Sequence, residues 1–394
     1  MKSNIKFINH ACFLIENDDG DVLFDPWFFG KVFNNSWSLL RETEDIDLSN
    51  VKYVIFTHEH PDHLHWPTLK KISNNSRHKI NVLVPLRENK NIVENIRKLG
   101  CKCAEIPNNL EVKLGNFMHI TNYTTGHDSA YVFKINDKVY LNQNDCQLSN
   151  KQCETISKKY PNIDFWMIQF SLAGYYANEA DHEGLQRAKD FHINMIKSYH
   201  NFFKPRITIP FASFVFFCKK HNSFLNKWII DIEEIGSKLN EVEIQILFYN
   251  DEIKDNDYDE RNNINKQRWN KVFNNKKEII EHQTKTDEEI LFESGKFIDL
   301  ANSKNGYKPG LLFLDLYDKT KRYKLDLTNR VAKFVEKQEQ DDANVAGKLH
   351  SEELLFFLRF PWGADTLNIT SCFEIKNEEL WKNILHFKDH LYER

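Results

Sequence analysis

The apolar run V-K-Y-V-I-F-T, residues 51 to 57, is followed at once by H-E-H-P-D-H, residues 58 to 63. A β-branched apolar run of that length reads as a buried strand, and P-T-L-K-K-I at 67 to 72 reads as a helix opening with Pro in its first turn. The pattern H-x-H-x-D-H therefore lies on a short loop between strand and helix, where His58, His60, Asp62 and His63 can turn toward one point. Imidazole and carboxylate together suit zinc, iron or manganese, and this set is large enough for two ions: His58 and His60 on one, Asp62 and His63 on the other. Four of the chain's 16 histidines fall in the nine positions 57 to 65, which disfavours a polar loop with histidines by coincidence. His65 and Glu59 are expected to stay outside the ligand set.

Around this loop, strand-like and helix-like segments alternate, which predicts an α/β fold. N-I-K-F-I-N-H-A-C-F-L-I-E (4 to 16) and D-V-L-F-D-P-W-F (21 to 28) flank N-D-D-G, a hairpin signal. Further strands are predicted at 80–85, 104–106, 110–114, 116–121, 130–135, 138–143, 163–170 and 207–211, and a last one over V-E-I-Q-I-L-F-Y-N-D (242 to 251). Residues 184 to 204 carry apolar positions at spacings of three and four, an amphipathic helix that Pro205 closes. The organisation predicted is a catalytic domain over 1–253, a charged linker or surface helix over 254–300, and a small α+β unit over 301–394. In that unit the reading places a hairpin around D-K-T-K, a helix over 351–360 with Ser351 as N-cap, and a strand over T-L-N-I-T-S-C-F-E-I (366 to 375).

T-H-E-H-P-D-H resembles the signature loop of the metallo-β-lactamase superfamily. That resemblance implies an αββα sandwich with the metal site at one edge of its sheets, and further ligands downstream: His127 in T-T-G-H-D, a bridging Asp145 in L-N-Q-N-D-C, and His221 in C-K-K-H, with His182 as competitor for the last. Asp62 and Asp145 are the expected catalytic carboxylates. Asp25, in L-F-D-P-W-F-F-G, corresponds to an early aspartate that supports the metal loop by hydrogen bonds. His10 matches a first-strand histidine of the ascorbate-phosphate lactonase-like branch and is expected behind the ligands.

Longer stretches, among them L-N-Q-N-D-C, M-I-Q-F-S-L-A-G and K-P-R-I-T-I-P-F-A, resemble the catalytic region of CMP-N-acetylneuraminate hydroxylases over roughly residues 5 to 250. Those hydroxylases carry a Rieske iron-sulfur domain, which needs two C-x-H or C-x-x-H ligand pairs, and two such pairs do not occur here. The resemblance implies an O2-dependent di-iron oxygenase acting on a small polar substrate such as a nucleotide-linked or amino sugar. Its electrons would come from a separate donor, a ferredoxin or Rieske reductase. The alternative is a hydrolase of phosphoesters, lactones or amides that uses a metal-bridging hydroxide, with zinc in place of iron. Trp27, Tyr175, Tyr176, Arg206 and Lys219 are candidates for substrate contact, although core or rim packing suits the aromatics as well.

A formal net charge of −4 gives no basic excess to draw in nucleic acid or an anionic membrane. The seven cysteines lack paired spacing, C-x-C at 101–103 is a weak metal signal, and the start of the chain reads as a strand rather than a leader. The protein is expected in the cytoplasm, with F-P-W-G-A-D-T-L capping the site or forming a homodimer face.

Overall fold

The computed structural model describes residues 3–392, apart from 44, 240, 241, 276 and 305–307. Two six-stranded sheets form its centre. The first holds β1 (Asn4–Asn9), β2 (Cys12–Glu16), β3 (Asp21–Phe24), β4 (Val51–Ile55), β5 (Asn81–Pro85) and β6 (Lys102–Ile106), in that order across the sheet. The second holds β7 (Glu111–Leu114), β8 (Met118–Thr125), β9 (Asp128–Ile135), β10 (Lys138–Asn144), β11 (Phe165–Gln169) and β12 (Ile207–Phe211), with β12 and β7 at its edges. The inner faces meet through large side chains: Phe24 stacks on Phe13 at 4.4 Å within the first sheet and on Phe133 of the second at 5.4 Å. Each fully buried ring of this kind contributes on the order of 1.5–3 kcal/mol.

Helices α1 (Trp66–Asn75) and α2 (Asn91–Lys98) cover the outer face of the first sheet with Leu69, Ile72, Val93 and Ile96. Helices α3 (Asn150–Lys159) and α4 (His182–Phe203) contribute Cys153, Ile156, Ile193, Ile196 and Phe203 to the core of the second. The layers are helix, sheet, sheet, helix, as the sequence resemblance implies. Among the described residues, no helix is long and apolar enough to cross a membrane.

The hairpin at Asn17–Gly20 forms, and Gly20 is required there: its φ is +118° and a Cβ would lie 2.5 Å from the Lys52 side chain. Residues 4–16, however, are two strands rather than one. Asn9 pairs with Cys12, so the chain reverses through His10, whose φ of 31° lies in the left-handed region. Residues 242–251 do not form the predicted strand. Only Ile244 makes a bridge, to Thr208, and Leu247 instead accepts from the Trp269 indole at 2.8 Å.

The segment 254–300, read as a charged linker or surface helix, is largely helical. After a short α5 (Ile232–Lys238), helix α6 (Asp259–Asn274) buries Trp269 in the first core, and α7 (Asp287–Ser303) buries Ile290, Phe297 and Ala301 in a second core. Apolar side chains spaced along these charged helices tie the segment down on both sides. The second core is closed by β13 (Leu311–Leu316), β14 (Arg322–Asp326), β15 (Val331–Val335), β16 (Val345–Leu349) and β17 (Phe373–Ile375), in the sheet order β15-β14-β13-β16-β17.

Against this sheet pack α8 (Ser351–Arg359), α9 (Gly363–Thr370) and α10 (Glu378–Leu391). The hairpin around residues 318–321 is present. The predicted strand over 366–375 is instead α9 followed by three strand residues, with Ala364 and Leu367 buried against the unit's core. His350, not Ser351, caps α8 by accepting from the Glu352 amide, while the Ser351 hydroxyl donates to Asp318 at 2.5 Å.

Candidate metal centre

β4 ends at Ile55 and α1 begins at Trp66, so the histidine-rich loop runs along one edge of the sandwich. Its side chains turn inward in an ordered way. His58 Nε2 lies 2.9 Å from His60 Nδ1 and 3.6 Å from Asp145 Oδ2. His63 Nε2 lies 3.5 Å from the same Asp145 oxygen and 3.6 Å from Asp62 Oδ2. His10 Nε2, delivered by the β1–β2 turn, is 3.2 Å from Asp62 Oδ2. Two donor sets result, His58–His60–Asp145 and His10–Asp62–His63, with the ligand atoms of each within 4.8 Å of one another. Asp145 Oδ2 stands between them.

The nitrogens that face away from this centre are held by partners. Thr57 Oγ1 is 3.0 Å from His58 Nδ1, and Asp25 Oδ2 is 3.0 Å from His63 Nδ1. Asp25 is itself fixed by the Thr57 amide at 2.8 Å and the Thr57 hydroxyl at 2.7 Å. Such outer contacts set the tautomer, leaving the inward lone pair for a metal. Three non-glycine residues around the centre carry left-handed backbone, His10 at 31°, Asp25 at 40° and Asn144 at 44°, a strain that surrounding structure must hold in place.

Electrostatics agree with the geometry. Burial drives the pKa of His58 well below that of free imidazole despite Asp145 nearby, keeping it neutral. Burial opposes ionisation of Asp62, but His63 and His10 overcome it and bring its carboxyl down to about 2. Asp145, also resisted by burial, is held far below the carboxylate range by His58 and His63. Asp62 Oδ1, Asp145 Oδ1 and His10 Nδ1 are buried and lack a hydrogen-bond partner among the described residues. A buried carboxylate oxygen without a donor costs roughly 1–3 kcal/mol or more, and a cation at the centre would relieve it. The donor set therefore fits two divalent ions.

The structure brings together His58, His60, Asp62, His63 and Asp145, and adds His10 directly to the donor atoms rather than behind them. Asp25 lies behind the loop, in contact with Thr57 and His63 Nδ1. His127 does not join: it is exposed at the β8–β9 turn, where its carbonyl accepts from Arg87. Its neighbour Asp128, the first residue of β9, faces inward instead, with Oδ1 3.9 Å from His58 Nε2. Burial and the Asp145 charge raise the Asp128 carboxyl to about 7.

His221 lies apart too, stacked on Tyr317 at 4.0 Å and on His282 at 4.7 Å where the two cores meet. His182 is exposed beside Trp228. His65 is buried and bonded to Thr68 at 2.8 Å, outside both sets.

Of the candidate substrate contacts, Trp27 is fully buried and donates to the Phe29 carbonyl, and Tyr175 stacks on Phe373 at 4.6 Å. Arg206 is bonded to Asp255, and Lys219 is buried against Glu352 and Glu353. Tyr176 alone of these aromatics is exposed. Asp365 lies in F-P-W-G-A-D-T-L, the stretch expected to cap the site or form a dimer face, and its Oδ2 is 3.2 Å from His60 Nε2 across 305 positions of chain.

Residues 4–148 match the family model of the beta-lactamase superfamily domain. The inactive cytidine monophosphate-N-acetylneuraminic acid hydroxylase of Homo sapiens is 36% identical over 72 residues, which cover 18% of this chain and 14% of that one. The corresponding hydroxylase of Cricetulus griseus is 36% identical over 72 residues, covering 18% and 13%. The match thus spans less than a sixth of the length of these relatives. Among solved structures, the diiron beta-hydroxylase CmlA of Streptomyces venezuelae has a TM-score of 0.47 at 15% identity, covering 64% of this chain and 54% of that one. Igni18, a metallo hydrolase of Ignicoccus hospitalis, has a TM-score of 0.45 at 14% identity, covering 64% and 98%. Likenesses this slight carry no argument about activity.

Proposed function

We propose, for a chain whose residues 4–148 fall in the beta-lactamase superfamily, that it is a dinuclear-metal enzyme of the O2-dependent, di-iron hydroxylase kind. Its substrate would be a small polar molecule such as a nucleotide-linked or amino sugar. The observation that carries the dinuclear part is Asp145 Oδ2 standing 3.6 Å from His58 Nε2 and 3.5 Å from His63 Nε2, one carboxylate shared by two donor sets. What tips the chemistry toward oxidation is the identity with the hydroxylases named above.

His58, His60 and Asp145 would hold one ion, and His10, Asp62 and His63 the other, with Asp145 Oδ2 within reach of both. A pair of irons there supplies O2 activation with electrons from an external donor such as a ferredoxin or Rieske protein, whereas a pair of zincs supplies activated water. The chain's residues do the rest. Asp25 and Thr57 keep the imidazoles in the tautomers that face the centre. Asp128, with Oδ1 3.9 Å from His58 Nε2, offers a carboxyl that can take or return a proton, and Tyr176 is exposed and free to meet a substrate ring.

The test loads the metal-free chain with ferrous iron anaerobically, then adds air, a chemical reductant and a panel of nucleotide and amino sugars. Mass spectrometry should show product heavier by one oxygen, labelled by 18O2. Hydrolysis of phosphodiester or lactone substrates by zinc-loaded protein, with no oxygen incorporation by iron-loaded protein, would replace this reading by a hydrolase.

A further inference from the structure

His60 turns Nδ1 toward the centre and Nε2 away from it. The other two loop histidines find partners for their outer nitrogens within the sandwich, Thr57 and Asp25. His60 finds its partner in the C-terminal unit, Asp365 Oδ2 at 3.2 Å, in the first turn of α9.

α9 is positioned by contacts that do not involve the metal centre. The Tyr175 amide donates to the Asn368 carbonyl at 3.0 Å, and Asn222 Nδ2 donates to the Thr370 carbonyl at 2.9 Å. Asn178 pairs with both backbone groups of Ile375, just beyond α9, at 2.8 and 2.9 Å. The corner between α8 and α9 is tight, since a Cβ on Gly363 would lie 2.6 Å from the Phe357 carbonyl. The carboxylate is thus brought to His60 by the scaffold.

We infer that Asp365 is a positioning residue for the metal centre: it accepts from His60 Nε2–H, fixes that tautomer, and so leaves the Nδ1 lone pair for the ion shared with His58 and Asp145. Docking of the C-terminal unit is then part of building the centre, and the unit acts on one of the two ions only. The inference rests on the dinuclear reading. A carboxylate behind a ligating histidine typically changes metal affinity about 10–100-fold.

The test titrates Co2+ into metal-free full-length protein, following the visible d–d bands and competition with a chelator. Wild type should bind two Co2+ per chain. Asp365→Ala should bind one with unchanged affinity and the other about 10–100-fold more weakly, with altered bands for that second ion. Asp365→Asn should recover part of the loss, because its amide oxygen still accepts from Nε2–H. Asp365 is 54% exposed, so the metal-free variants should melt with wild type. Two ions bound to Asp365→Ala with wild-type affinity and spectrum would overturn the inference while leaving the dinuclear centre intact. A wild type that binds no Co2+ would overturn both.

Discussion

The molecule has two histidine clusters, and they are built for opposite ends. At the edge of the sandwich, the inward nitrogens of His58, His60 and His63 face one another and face carboxylates whose remaining oxygens lack partners. At the joint between the cores, the rings of Tyr317, His221, His282 and His350 stack in succession at 4.0, 4.7 and 4.6 Å, and a lysine is already present. Lys219 Nζ lies 2.6 Å from Glu353 and 3.1 Å from Glu352, and His282 Nδ1 lies 3.4 Å from both. Burial works against the charge on His282, but the two glutamates raise its pKa. Histidine density alone does not separate the two clusters, since both bring imidazoles and carboxylates within reach of one ion; what distinguishes the joint is Lys219 seated between its glutamates.

Removing Asp145 should break the comparison most severely. Asp145→Ala takes the shared carboxylate from both donor sets, and metal analysis should find the bound ions reduced from two per chain to none, with the fold retained by circular dichroism. The counterpart at the joint is Glu353→Ala, which leaves Lys219 buried with one partner fewer. Denaturant unfolding should show a loss of about 3–5 kcal/mol, with metal content unchanged. A smaller effect is expected from Asp25→Asn, which keeps the shape but weakens the hold on His63 Nδ1: chelator competition should show about 10–100-fold weaker binding.

The smallest effect is one of pH. His282 is raised above its unfolded value of 6.5, so the stability it contributes is complete below about pH 6.5 and is lost as pH rises through its folded value. His221, lowered by burial to about 4, acts in the other direction, costing stability as pH falls below 6.5. Melting curves of metal-free His282→Gln against wild type isolate the first contribution, and the difference between them should shrink on going from pH 6 to pH 9.

Much of the metal centre is legible in the sequence because it is local. His58, His60, Asp62 and His63 share one loop, and Asp145 follows a strand whose pattern is plain. What escaped is set by geometry at longer range. Choosing Asp128 over His127 depends on the register of the β8–β9 hairpin, in which a one-residue shift exchanges the two sides. His10 enters the donor set only because the chain reverses at Asn9–Cys12, a turn without glycine to announce it. His221 follows a short strand, Val215–Phe217, that pairs with Trp37–Leu39 and carries the chain toward the C-terminal unit. Residues 366–375 are rich in β-branched side chains, yet 366–370 are helical, since tertiary packing of Leu367 against the second core outweighs local preference. Asp365 is separated from His60 by most of the chain, and F-P-W-G-A-D-T-L suggests a cap or dimer face without pointing to His60.

The measurement that tests the central claim most directly is the number of metal ions per chain, by mass spectrometry on protein reconstituted and desalted, for wild type beside Asp145→Ala. Two ions in wild type and none in the variant are predicted from a single carboxylate shared by two donor sets. Two ions retained by the variant, or one at most in wild type, would contradict it.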